Sequence, residues 1–125
     1  MALITLQANA GPATLVVTMD TKCAWQFYYN DHLFIDLKGN GGKKKFSMPL
    51  GAPATNRGSN AATFYLTNVK ADAEPYTITM EWQQNGKHVK TVTLADTDPG
   101  ASTVPGGGSP CMVSELITYQ VIQSV

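Results

Sequence analysis

The chain has 125 residues, 43% of them hydrophobic and 14% charged, with nine basic and nine acidic side chains and no formal net charge. That length predicts one domain, residues 1–125, able to bury about two-thirds of its unfolded surface. So weak a field argues against nucleic acid and anionic membrane as partners, and no apolar run approaches the ~18 residues of a membrane span. The start, Met1 to Gln7, has no basic region followed by a long apolar one, which argues against a classical secretory signal. The expected location is cytoplasmic, or outside the cell by a signal-independent route.

Strands are predicted over residues 2–8, with Ile4 and Leu6 inward, and over 13–19, with Leu15, Val17 and Met19 inward. Residues 23–29 place Cys23, Trp25, Phe27 and Tyr29 on the core parity. A three-residue loop, Asn30-Asp31-His32, leads to a strand over 33–37. This register pairs Trp25 with Leu37, Phe27 with Ile35 and Tyr29 with Leu33 on the inner face. The outer face then pairs Tyr28 with Phe34 and Gln26 with Asp36. After the glycine-rich turn 38–42, a strand over 43–48 opens on three lysines and turns Phe46 and Met48 inward; charge of this kind protects an edge strand from pairing with other chains. Residues 49–60 read as loop and 61–69 as a strand with Phe64 and Leu66 inward.

Residues 76–94 form the clearest hairpin. Tyr76, Ile78, Met80 and Trp82 alternate with Thr77, Thr79, Glu81 and Gln83, and Asn85-Gly86 follows. A three-residue loop, Gln84-Asn85-Gly86, gives one apolar face, with Val92 opposite Ile78 and Leu94 opposite Tyr76. Residues 96–110 read as a long structureless connection. The last strand spans 112–122, with Val113, Ile117, Tyr119 and Val121 inward; Glu115 shares their parity, so either a bulge near residues 114–116 turns it out or it is a part-buried carboxylate needing a partner.

About eight or nine strands and no convincing helix predict an all-β, antiparallel two-sheet sandwich, jelly-roll or Ig-like, with a barrel as the alternative. Cys23 and Cys111 read as core-facing free thiols, with a bridge as the competing reading.

Reaction chemistry is poorly represented. His32 and His88 are the only histidines, and no nucleophile elbow, Walker loop or dinucleotide fingerprint occurs, so no enzyme is expected. No cofactor is expected. The one metal considered is calcium, with Asp96 and Asp98 as loop oxygen ligands, against the plainer reading of ordinary turn formers. The most useful residues are the outward aromatics. Tyr28 and Phe34, beside Gln26 and Asp36 and next to the Asn30, Asp31, His32 loop, form the candidate ligand face, because rings stack on sugar C–H bonds while amides and carboxylates take hydroxyls. Tyr65 is outward on its own strand. The reading is a non-enzymatic, lectin-like carbohydrate-binding protein, soluble and homo-oligomeric, with a glycan or itself as partner. A structural, self-assembling subunit is the alternative, followed by a membrane-active toxin.

Overall fold

A computed structural model describes residues 2–37, 42–94, 103–104, 106–108 and 110–123. The strands are β1 (Ala2–Gln7), β2 (Ala13–Thr21), β3 (Ala24–Tyr29), β4 (His32–Leu37), β5 (Gly42–Gly51), β6 (Gly58–Thr67), β7 (Glu74–Gln84), β8 (Lys87–Leu94), β9 (Thr103–Val104) and β10 (Pro110–Ile122). One turn of 3-10 helix, Pro53–Asn56, interrupts the expected 49–60 loop, whose ends are taken up by β5 and β6. The strands form two open sheets and no barrel: one ordered β1-β10-β6-β3-β4, the other β5-β2-β7-β8, with β9 added to β7. One pairing departs from the antiparallel expectation, because β1 runs parallel to β10.

Period-2 alternation builds the shared core. β1 alternates strictly between buried and exposed, and every second residue of β7 from Tyr76 to Gln84 is buried. Inward side chains of both sheets meet in one cluster that includes Ile4, Leu15, Met19, Phe27, Phe64, Met80, Trp82 and Ile117. Phe46 of β5 inserts between the sheets, 5.8 Å from the Trp25 ring and 5.5 Å from that of Phe27. β5 is an edge strand, the position expected for its lysines.

The β7–β8 hairpin differs from its expected register throughout and the β3–β4 hairpin only next to its turn, both for the same reason. Asn30 and Asp31 have φ of 50° and 67°, and Asn85 and Gly86 have φ of 52° and 79°. Left-handed backbone at both central positions defines a two-residue turn whose twist matches that of the strands it joins. Such a turn alone would set the apolar parities out of phase. Each second strand restores the phase by carrying one extra residue. In β8 the pairs Gln84–Lys87 and Gln83–His88 give way to Trp82–Lys90, so Val89 is extra; beyond it Met80 faces Val92 and Ile78 faces Leu94. In β4 the pairs Tyr29–His32 and Tyr28–Leu33 give way to Phe27–Ile35, so Phe34 is extra. The expected apolar faces survive, through a strand bulge rather than a three-residue loop.

Of the two readings of Glu115, the bulge is absent and the part-buried carboxylate holds. β10 pairs with β6 without a register shift, and Glu115 stays on the core-facing parity, half-buried and opposite Ala62, which brings no side-chain bulk to that position. The segment after β8 is not structureless throughout. Thr103 and Val104 pair with Pro75 and Glu74, and Val104 is fully buried. Asn68, itself buried, donates from Nδ2 to the carbonyls of Val104 at 3.0 Å and Asp72 at 2.7 Å. The amides of Gly107 and Gly108 donate to the carbonyls of Lys70 and Asn68.

Polar bridges also join the two sheets. Trp82 Nε1 of β7 donates to Tyr119 Oη of β10 at 2.8 Å, and the Tyr29 hydroxyl of β3 meets the same oxygen at 2.9 Å. Buried Gln84 accepts from the Gln7 amide at 2.9 Å and donates to the carbonyls of Gln7 at 2.6 Å and Gly11 at 3.0 Å, acting as a one-residue strand partner for the end of β1. At the same edge Lys90 Nζ reaches the Leu3 carbonyl at 3.3 Å. Cys23 and Cys111 are free thiols, Cys23 buried and Cys111 half-buried.

Candidate functional site

The expected ligand face is only partly assembled. Gln26 and Tyr28 stand on the outer face of β3, and Tyr28 meets Tyr65 of β6 edge-on with ring centroids 5.5 Å apart. Phe34 does not join them. As the bulged residue it loses its place opposite Tyr28 and turns its ring toward the core rim, 6.0 Å from Phe27 and 5.7 Å from Phe46. Its partner on the outer face is replaced by Leu33.

The turn residues are occupied by structure. Asn30 Nδ2 donates to Asn60 Oδ1 at 2.6 Å, and its Oδ1 accepts from the Ala61 amide at 2.8 Å, so this side chain pins the β3–β4 turn to β6. Asp31 and His32 are exposed at the tip. Asp36 lies opposite Gln26 in register. Asp96 and Asp98 lie outside the described residues, and among the described residues no three His, Cys, Asp or Glu side chains gather into a metal-binding group.

The outer face of the five-stranded sheet is a continuous surface defined by register. Leu3 and Thr5 of β1 lie beside Thr118 and Gln120 of β10. Met112, Ser114 and Leu116 of β10 lie beside Tyr65, Thr63 and Ala61 of β6, which in turn flank Gln26 and Tyr28 of β3. None of these residues is charged. Leu3, Leu33, Met112 and Leu116 are 50%, 50%, 61% and 59% exposed. Tyr65 was legible as an outward ring. Leu3, Met112 and Leu116 were missed, although each sits on the parity opposite the core of its strand, while Leu33, expected inward opposite Tyr29, shares the parity of Ile35 and is turned outward by the extra residue Phe34.

The outer face of the other sheet has the opposite character. Lys43 and Lys45 of β5 lie beside Asp20 and Thr18 of β2, which lie beside Thr77 and Thr79 of β7. These six side chains line an open recess of about 460 Å³. Next along β7, Glu81 Oε2 accepts from His88 Nδ1 at 2.9 Å and Oε1 accepts from Gln83 Nε2 at 3.1 Å. The His88 hydrogen bond, then that of Gln83, with smaller help from the charges of His88 and Lys45, hold the Glu81 carboxyl below its ordinary range.

A lowered folded-state value means that Glu81 supports folding at neutral pH and loses that support as pH falls through it. His88→Ala is therefore expected to move the Glu81 midpoint upward in a carboxyl-carbon NMR titration. An unmoved midpoint would show that His88 does not hold this carboxylate. No helix among the described residues is long and apolar enough to cross a membrane. Comparison with family models, curated proteins and solved structures finds no match to this chain.

Proposed function

We propose that the protein is a non-enzymatic contact module that works as a homo-oligomer, a structural or self-assembling subunit, with the outer face of the five-stranded sheet as its subunit contact. The two sheets are then the layers of a β-sandwich. One observation carries the reading: across β1, β10, β6 and β3 the described outward residues bear no charge, while Leu3, Met112 and Leu116 stand half-exposed or more. Soluble surfaces are usually about 25–35% charged, and contiguous exposed apolar patches mark contact sites. Four strands ~4.8 Å apart and roughly 25 Å long make a footprint of about 480 Å², more than half of the ~800 Å² that each partner contributes to a standard interface. An uncharged face meets a second copy of itself without like-charge repulsion, and a two-fold contact needs one self-complementary patch.

Size-exclusion chromatography with light scattering tests this. Wild type is expected to be oligomeric, and Met112→Lys with Leu116→Lys is expected to weaken association by at least about tenfold, because central apolar anchors carry most interface energy. A wild type that stays monomeric at high concentration removes the reading. A second reading has its own support on the same face: the Tyr28–Tyr65 edge contact beside the Gln26 amide suits a sugar ring, as in lectin-like carbohydrate binding, with avidity supplied by several copies. A glycan array in which the monomeric lysine variant binds, and its Tyr28→Ala derivative does not, favours that second use.

A further inference from the structure

We propose that the recess on the four-stranded sheet binds an acidic sugar, a uronic or sulfated unit carrying both an anionic group and free hydroxyls. This rests on the opposite sheet and is independent of the subunit contact. Lys43 and Lys45 are two residues apart on edge strand β5, so they flank one side of the recess, their Cα atoms roughly 7 Å apart along the strand. Lys44 takes the other parity, opposite Met19. Among the described residues neither Lys43 nor Lys45 makes an ion pair, and the hydroxyls of Thr18, Thr77 and Thr79 are not committed to another protein group. The nearest further carboxylate, Glu81, is drawn toward His88 and Gln83.

Asp20 decides the ligand class. Its carboxylate lies between Lys43 and Thr77 in register and lines the recess with them. A bare inorganic anion gains from two ammonium groups and loses to Asp20. A sugar uses all three: its carboxylate or sulfate pairs with the lysines, and a ring hydroxyl donates to Asp20 while others exchange hydrogen bonds with the threonines. The volume, about 460 Å³, falls in the range of small-ligand sites, about 300–1,000 Å³, and the six side chains fill a grid of three strands by two positions, the footprint of one ring with its substituents.

The test is an NMR titration of the full chain with a uronic-acid disaccharide, its neutral carboxyl-reduced counterpart and inorganic sulfate. The acidic disaccharide is expected to shift the amides of Thr18, Asp20, Lys45, Thr77 and Thr79. Lys43→Gln with Lys45→Gln should weaken it at least about tenfold, the loss of one to two charge-assisted contacts. Asp20→Asn should weaken the disaccharide and tighten sulfate. Equal binding of the neutral sugar, sulfate reproducing both shifts and affinity, or an unmoved recess with all three probes would each overturn the proposal. Unchanged thermal unfolding of the surface variants shows that a lost signal is a lost site.

Discussion

Trp82→Ala is expected to lower the free energy of unfolding by about 3–5 kcal/mol, the range for truncating a large buried aromatic. Urea denaturation measures it, with Trp25 fluorescence as the remaining reporter. Trp82 is fully buried in β7, an inner strand of the four-stranded sheet. Its ring fills the core, and its indole N–H crosses to Tyr119 of the other sheet. The alanine variant therefore opens a cavity and cuts a link between layers. Because folded domains are stable by only about 5–15 kcal/mol, much of the margin would go.

Tyr119→Phe separates the two effects, since it keeps the ring and removes the acceptor. Leaving the Trp82 N–H and the Tyr29 hydroxyl without that partner is expected to cost about 1–3 kcal/mol. Burial pushes the Tyr29 phenol far above its ordinary range, with Tyr119 adding to the shift, and burial raises Tyr119 too. Both phenols are therefore held protonated to higher pH than a free tyrosine. A loss under about 1.5 kcal/mol for Trp82→Ala would mean that the ring is not packed as described.

Gly106→Ala is expected to cost about 1–3 kcal/mol or more through overpacking. A Cβ at this position would lie 2.3 Å from the Ala71 carbonyl oxygen and 2.4 Å from that of Lys70, and both obstacles are backbone. Relief requires the 106–108 segment to lift from residues 68–72. The hydrogen bonds from Gly107 and Gly108 to Lys70 and Asn68 go with it, and the hold on buried Val104 weakens. Hydrogen exchange should show faster exchange at the Gly107 and Gly108 amides together with lower global stability. Unchanged protection at both would refute the close approach.

The core was legible because alternation is local. Ile4, Leu15, Phe27, Phe64, Met80 and Ile117 are all buried on the parity that their neighbours predict. The inner pairs Trp25–Leu37 and Phe27–Ile35 also match the expected register. What sequence parity does not specify is where a phase error is corrected. A three-residue loop and a two-residue turn followed by a bulge give the same apolar face. The choice moves Phe34 from an outer platform to a cover over Phe27 and Phe46, and this is why the candidate ligand face lost one of its two rings. The surface sites were hidden for a different reason. Leu3 is a single exposed apolar side chain on β1, and only the strand order β1-β10-β6 puts it on one face with Met112 and Leu116 of β10. Likewise Lys43, Asp20 and Thr77 become neighbours through pairings that span distant segments.

The parallel pairing of β1 with β10 has a consequence for biosynthesis. β1 is an edge strand whose neighbour in the sheet is β10, and Ala2 meets Ile117 across that ladder. A nascent chain leaving the ribosome must carry Ile4 and Leu6 without a docking strand until β10, more than a hundred residues later, has been translated. Such late, distant closure slows folding and exposes apolar segments to misassociation in the interval. Damage to β10 should therefore appear first as poor yield and slow refolding.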